Sequence, residues 1–304
     1  MRLIVSGALG ARVVSLQDRR TGREWLAQAP APSPADAAAW ADEDAAFGGA
    51  EAFGWDDCLP TISRSPDPLD PGAPALRDHG DFWGREASIT GDAATLVTEW
   101  PAGRWGLGFL RRHRLDSSAV IAEYAAYNPG RRPVPFLWSA HPLLQLDPGT
   151  RLHLPRIDRV RVHGSEGIAF TGRHAGWPRA TAADHSSVDL DVVADLAAGY
   201  AMKAFVTGLE GRAGALAPDG SWIGIAWDPV FAPILGLWMD YGGWPADDPV
   251  HQVALEPTTA AHDSLGDAMA AGQAAWIAPG RTVRWWVRIE LGIQPSGLAA
   301  FLRG

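Results

Sequence analysis

The stretch TVRWWVRIEL, residues 282–291, decides the fold class. Val283, Trp285, Val287, Ile289 and Leu291 fall on one side, and Arg284, Trp286, Arg288 and Glu290 on the other. That strict alternation belongs to a half-buried β-strand. The same period of two recurs in shorter runs at 2–6, 11–17, 94–99, 106–115, 119–127, 134–139, 158–162, 200–207, 221–227, 233–240 and 251–256. Turn signals separate them: NPG at 128–130, DPG at 147–149, PDG at 218–220 and APG at 278–280. Helical periodicity is nearly absent, and only DSLGDAMAAG, residues 263–272, suits a short helix. The pattern predicts an all-β chain.

Three irregular stretches interrupt the strands, at 29–46, 63–76 and 171–187. Loops of such length inside a compact domain often serve as lids or binding loops. Strand-like segments continue on both sides of each, and no internal repeat is visible, so a single domain over 1–304 is expected.

Composition narrows the function. The 304 residues are 47% hydrophobic and 20% charged, a mix able to bury a sizeable core. Net charge is −9 and Lys203 is the sole lysine. No basic cluster is dense enough to track a phosphate backbone, which argues against nucleic acid. A single cysteine, Cys58, rules out an intrachain disulfide and does not by itself point to a thiol metal site. The N-terminus alternates like a strand rather than a leader, and no apolar run approaches the length of a membrane span. A soluble cytoplasmic protein is expected, with no membrane partner. Fifteen tryptophans against four tyrosines lean towards carbohydrate, because indole faces stack on sugars, although Trp also fills β-sandwich cores.

Four segments combine titratable groups with turn or strand-end context. In FLWSAHPLLQL, His141 sits in an apolar strand and reads either as a satisfied core histidine or as a general acid tuned by burial. In VALEPTT, Glu256 ends an apolar strand before a proline; a salt bridge and a general base are both open to it. In GLWMDYGGWP, Asp240 either caps the turn or orients a sugar hydroxyl beside Trp238 and Trp244. In RDHGDFWGR, His79 and Arg85 are either a solvated loop pair or one wall of a cleft.

Taken together, these segments resemble the galactose mutarotase-like superfamily, the aldose 1-epimerases and their hexose-6-phosphate mutarotase relatives. GARVVSLQDRRTGREWL is similar to that family's N-terminal hairpin, and GGAEAFGWDDCLPTI to its Gly-Gly segment. DHGDFWGR resembles the His-Gly motif, SAHPLLQL the second-histidine strand, LEPTT the glutamate segment and WIAPGRTVRWWVRIELG the closing strand pair. The resemblance implies a β-supersandwich of large antiparallel sheets with a sugar cleft. It implies His141 as the acid that protonates the pyranose ring oxygen and Glu256 as the base at the anomeric hydroxyl. His79 would orient the ring oxygen, Asp240 would hold hydroxyls, and Trp238 would lie against the sugar. Arg85 would contact substrate, although its spacing departs from the compact His-Gly-x-x-Arg form. Leu143 and Leu144 stand where family members usually carry an aromatic, and no arginine–asparagine motif is present.

Ring opening gives one proton and takes another, so a histidine and a carboxylate suffice and no metal or organic cofactor is required. The expected partner is a small-molecule sugar, and the expected assembly a monomer or homodimer. Three other readings compete. The first is a non-catalytic sugar-binding protein. The second is a lyase or hydrolase using Asp240 and Glu256 as its two carboxylates. The third is a zinc site on His79, His141 and Glu256, which lacks an H-x-H or HExxH spacing.

Overall fold

The computed structural model describes residues 1–48 and 51–304; Gly49, the second glycine of the Gly-Gly segment, lies outside them. Two antiparallel sheets account for most strands. The larger has nine, in the spatial order β1 (Arg2–Ser6), β2 (Arg12–Gln17), β3 (Trp55–Cys58), β9 (Ser139–Leu144), β19 (His251–Thr258), β18 (Ile234–Tyr241), β15 (Tyr200–Thr207), β11 (Arg159–Glu166) and β12 (His174–Gly176). The other has eight: β10 (Arg151–His153), β16 (Arg212–Leu216), β17 (Trp222–Trp227), β21 (Thr282–Gly292), β7 (Ala119–Tyr127), β6 (Gly108–Asp116), β5 (Thr95–Glu99) and β4 (Ser88–Gly91). Two ribbons complete the β structure, β13 (Arg179–Thr181) with β14 (Ser187–Asp189) and β8 (Val134–Phe136) with β20 (Ala275–Ile277).

The alternation in 282–291 shows directly how the sheets pack. Trp285, Val287, Ile289 and Leu291 of β21 are buried, while Trp286 is exposed. Trp285 stacks on Tyr124 of β7 and Phe231, and meets Trp138, just before β9, edge-on with ring centroids 5.1 Å apart. The two sheets therefore share one aromatic core, an all-β supersandwich. Ten of the fifteen tryptophans are buried, and seven of them, Trp25, Trp55, Trp100, Trp138, Trp177, Trp227 and Trp285, lie in this core. The carbohydrate leaning rests on far fewer of them than the composition implied.

Several elements depart from the sequence expectation. The run 134–139 divides into the end of one ribbon and the start of β9. The irregular stretch 171–187 contains β12, β13 and the start of β14. Within 29–46 lies a helix, α1 (Pro34–Trp40), opened by a reciprocal cap between Ser33 and Asp36 with proline in the first turn. Helix α2 (Leu265–Ala270) falls inside the expected 263–272, and a third helix, α3 (Pro295–Phe301), packs beside β17. No helix among the described residues is long and apolar enough to cross a membrane.

Candidate active site

Strand register builds the site. On the larger sheet, Asp56 of β3 is the partner of His141 on β9. The β9–β19 ladder pairs Leu143 with Ala254 and Ser139 with Thr258, so Glu256 stands opposite His141. Gly236 of β18 is the next partner of Glu256. Alternation sends the intervening residues, such as Ala140 and Leu255, into the aromatic core, and turns this row to the opposite face.

Loops roof the row into a cleft of about 250 Å³, whose lining includes Phe47, His79, His141, Lys203, Trp238, Trp244, Glu256 and Asp263. His79 arrives through a tight backbone arrangement. It has a positive φ, and Gly80 after it has φ +83°. A β-carbon on Gly80 would stand 2.2 Å from the Leu59 carbonyl, so only glycine fits there. The His79 N–H donates to Ile62 O and the Asp81 N–H to Leu59 O, which fastens the loop to the end of β3. Arg77, fully buried, donates to the carbonyls of Asp42, Trp40, Gly80 and Trp83 and holds the loop from behind. The imidazole of His79 stacks on Phe47, hydrogen-bonds Asp78 through Nδ1 and lies edge-on to His141, with centroids 5.1 Å apart.

His141 and Glu256 face each other on the cleft floor, both buried, with Nε2 and Oε1 3.8 Å apart. Among the described residues, neither His141 Nδ1 nor Glu256 Oε1 has a hydrogen-bond partner. Glu256 Oε2 is engaged instead by the ammonium of Lys203, which also lies 4.0 Å from Asp263 Oδ1. Burial pushes the Glu256 carboxyl above its ordinary range, partly offset by Lys203. Burial would lower the Lys203 ammonium, but Glu256 and Asp263 outweigh it and leave it raised. His141 is held well below the usual histidine range, by burial first and then by His79, Lys203 and Arg12. Behind the row, Arg12 pairs with Asp56 at 2.7 Å; burial still raises that carboxyl.

Four of the six residues singled out from the sequence meet in this cleft: His79, His141, Trp238 and Glu256. Two do not line it. Asp240 is fully buried and turned beneath the following loop, where Oδ1 accepts the N–H groups of Gly243 (3.0 Å) and Trp244 (3.2 Å). Asp240 thus caps this turn and does not itself line the cleft, on which it bears through the Trp244 N–H. Arg85 pairs with Glu43 at the surface, drawn off by that nearer carboxylate. Lys203 and Asp263 were missed. A sole lysine inside the apolar strand YAMKAFV was a usable signal, since a buried cation needs a partner.

Metal ligation would fall to Cys58, His79 and His141, whose donor atoms lie within 4.8 Å of one another. Cys58 is sealed beneath the row with its thiol pushed up by burial, which disfavours the thiolate a metal requires. A larger cavity, about 630 Å³, opens between β16 and α3, and none of the residues singled out from the sequence lines it.

No protein-family model and no curated protein matches the sequence. Solved structures do match in fold. A candidate aldose 1-epimerase from Klebsiella pneumoniae aligns with a TM-score of 0.69 at 14% identity, over 99% of this chain and 79% of that one. A candidate aldose 1-epimerase from Escherichia coli aligns with a TM-score of 0.63 at 16% identity, over 96% and 95%. A galactose mutarotase related enzyme from Lactobacillus acidophilus gives 0.63 at 15% identity, over 96% and 95%. The chain has the galactose mutarotase-like fold.

Proposed function

We propose that the protein is an aldose 1-epimerase, interconverting the α and β anomers of a small sugar bound in the cleft between His79, Trp238 and Trp244. The observation that carries this reading is a buried imidazole facing a buried carboxylate across the cleft floor, with His141 Nε2 3.8 Å from Glu256 Oε1, an oxygen without a protein hydrogen-bond partner among the described residues. A hemiacetal carbon bears both oxygens that must exchange a proton, so one acid and one base set side by side can serve both.

In the productive state His141 is imidazolium and Glu256 is carboxylate. Glu256 Oε1 takes the anomeric hydroxyl proton as the C1–O bond to the ring oxygen breaks and the C1 carbonyl forms. His141 gives its proton to the departing ring oxygen. Rotation about C1–C2 presents the other face of the aldehyde, and the reverse transfers close the ring. Between turnovers the two groups hold a proton in common, so their titration belongs to the pair. Positioned acid–base groups contribute about 10²–10⁴-fold each. Gln252 and Asp263 supply polar contacts on the same wall, and the indoles supply stacking surface.

The test is anomer interconversion of freshly dissolved aldoses followed by polarimetry or exchange NMR. Glu256→Gln and His141→Asn should each lose at least about a hundredfold in kcat while retaining sugar binding. A wild-type protein that binds sugars without accelerating interconversion would instead be a sugar sensor on the same scaffold.

A further inference from the structure

We propose that Lys203 is a positioning residue for the base: its ammonium holds Glu256 ionised and clamps Oε2, leaving Oε1 as the reacting oxygen. The inference rests on the epimerase reading and adds to it a residue with an assigned task.

Three observations converge. Lys203 is the chain's only lysine, and it lies on β15, two strands from Glu256. It reaches Glu256 across Gly236, where an added β-carbon would stand 2.9 Å from the carboxylate. The two carboxylate oxygens are thereby made unequal, Oε2 bonded and Oε1 without a partner beside His141.

Ionisation is the difficulty that Lys203 resolves. The groups facing Glu256 are Asp56 and Cys58 from β3, His141 from β9, Lys203 from β15, His79 from its loop and Asp263 beyond β19. Burial and the neighbouring acids favour the protonated carboxyl, the form that cannot act as a base. Of the bases in this group, Lys203 alone touches the carboxylate and carries a permanent charge. Taking the positive charge away leaves the proton shared with His141 on the wrong partner. A structural salt bridge would predict lost stability alone; a positioning role also predicts a changed titration.

The experiment compares wild type, Lys203→Met and Lys203→Arg. Glu256 is titrated by difference infrared spectroscopy of the protonated carboxyl band, assigned by its loss in Glu256→Gln. In Lys203→Met the transition should move up by roughly 1–3 pH units. The acidic limb of the kcat profile should move with it, and kcat near neutrality should fall at least about tenfold, with KM within about threefold. Lys203→Arg, which keeps the cation, should retain a transition close to wild type. An unmoved transition in Lys203→Met, or a moved one with unchanged kcat, overturns the proposal. Should Lys203→Met fail to fold, Lys203→Gln carries the same readouts. The double variant Lys203→Met/Glu256→Gln, with no charge left to bury, should melt above Lys203→Met; equal melting would mean lost packing only and count against the proposal. If the wild type leaves anomers untouched, the epimerase reading fails, yet the infrared titration still decides what Lys203 does to Glu256.

Discussion

Gly236→Ala is the sharpest probe of the carboxylate's geometry. Gly236 pairs with Glu256 in the β18–β19 ladder, and its φ lies outside the left-handed region, so alanine fits the backbone. The added β-carbon would stand 2.9 Å from Glu256 Oε2 and 3.2 Å from Glu256 Cβ. Ordinary contact begins at 3.4 Å, so Oε2 has to withdraw by about half an ångström. Overpacking a fitted interior costs about 1–3 kcal/mol; the clash meets one side chain and no backbone, which puts this variant near the lower end. Rate is more sensitive than stability. A misplacement of about 1 Å can cost on the order of a hundredfold, so half of it should cost about tenfold in kcat, with KM changed by less than about threefold. Polarimetric progress curves at several sugar concentrations separate the two constants, and a thermal melt reports the stability change. A kcat within about twofold of wild type, with the melt lowered as expected, would refute the claim that the exact seat of Oε2 governs the base.

Three further outcomes follow from the site. Trp244→Ala removes a ring that lines the cleft edge-on to Trp238, and should raise KM about tenfold with kcat preserved, as read by the same assay. Arg85→Ala should leave both constants within about twofold, because the guanidinium is spent on a surface pair with Glu43; a larger loss would return Arg85 to the substrate. Asp240 is pushed up to about 6 by burial, only partly offset by the Gly243 and Trp244 N–H groups. Its folded value lies above its unfolded one, so its contribution to stability is complete below about pH 4 and is lost as pH rises through about 6. Relative to Asp240→Asn, wild type should therefore lose about 1.4 kcal/mol per pH unit across that window in denaturant titrations, and a flat difference would contradict the assignment.

Legibility followed the physics of each element. Long strands buried on one face wrote themselves as alternation, which is why β6, β7 and β21 stand close to where the sequence put them. His141 and Glu256 were readable for a different reason: a titratable group inside an otherwise apolar, buried strand breaks the pattern and has to be used or paired. Short strands such as β12, β13 and β14, three residues each, are too brief to show a period. Helix α1 hid in an alanine–proline stretch, although Ser33, Pro34 and Asp36 form a cap signature that could have revealed it. Asp240 and Arg85 stand outside the cleft lining because Asp240, near the end of β18, caps the turn after it and Arg85 pairs with Glu43, and neither that glycine turn nor that carboxylate is a periodic feature. Lys203 was passed over because its partner lies 53 residues away, a pairing only the sheet order creates.

What separates a catalyst from a sensor here is the cost of the floor. A protein that merely held sugars could line its cleft with neutral amides, as it already does with Gln252. Leaving Glu256 Oε1 buried without a protein partner, 3.8 Å from His141 Nε2, costs roughly 1–3 kcal/mol. On the epimerase reading, proton transfer gives that oxygen its use, since an atom already satisfied by the protein is a poor place to put a substrate proton. Hydrolysis fits the same floor less well. With Asp240 committed to its turn and Asp78 hydrogen-bonded to His79, the remaining carboxylate that lines the cleft with Glu256 is Asp263, and Lys203 binds to one and lies 4.0 Å from the other. Two acids gathered around one cation do not flank a glycosidic bond from opposite sides. The arrangement pairs one carboxylate with one histidine, which is the requirement of moving a proton between two oxygens on the same carbon.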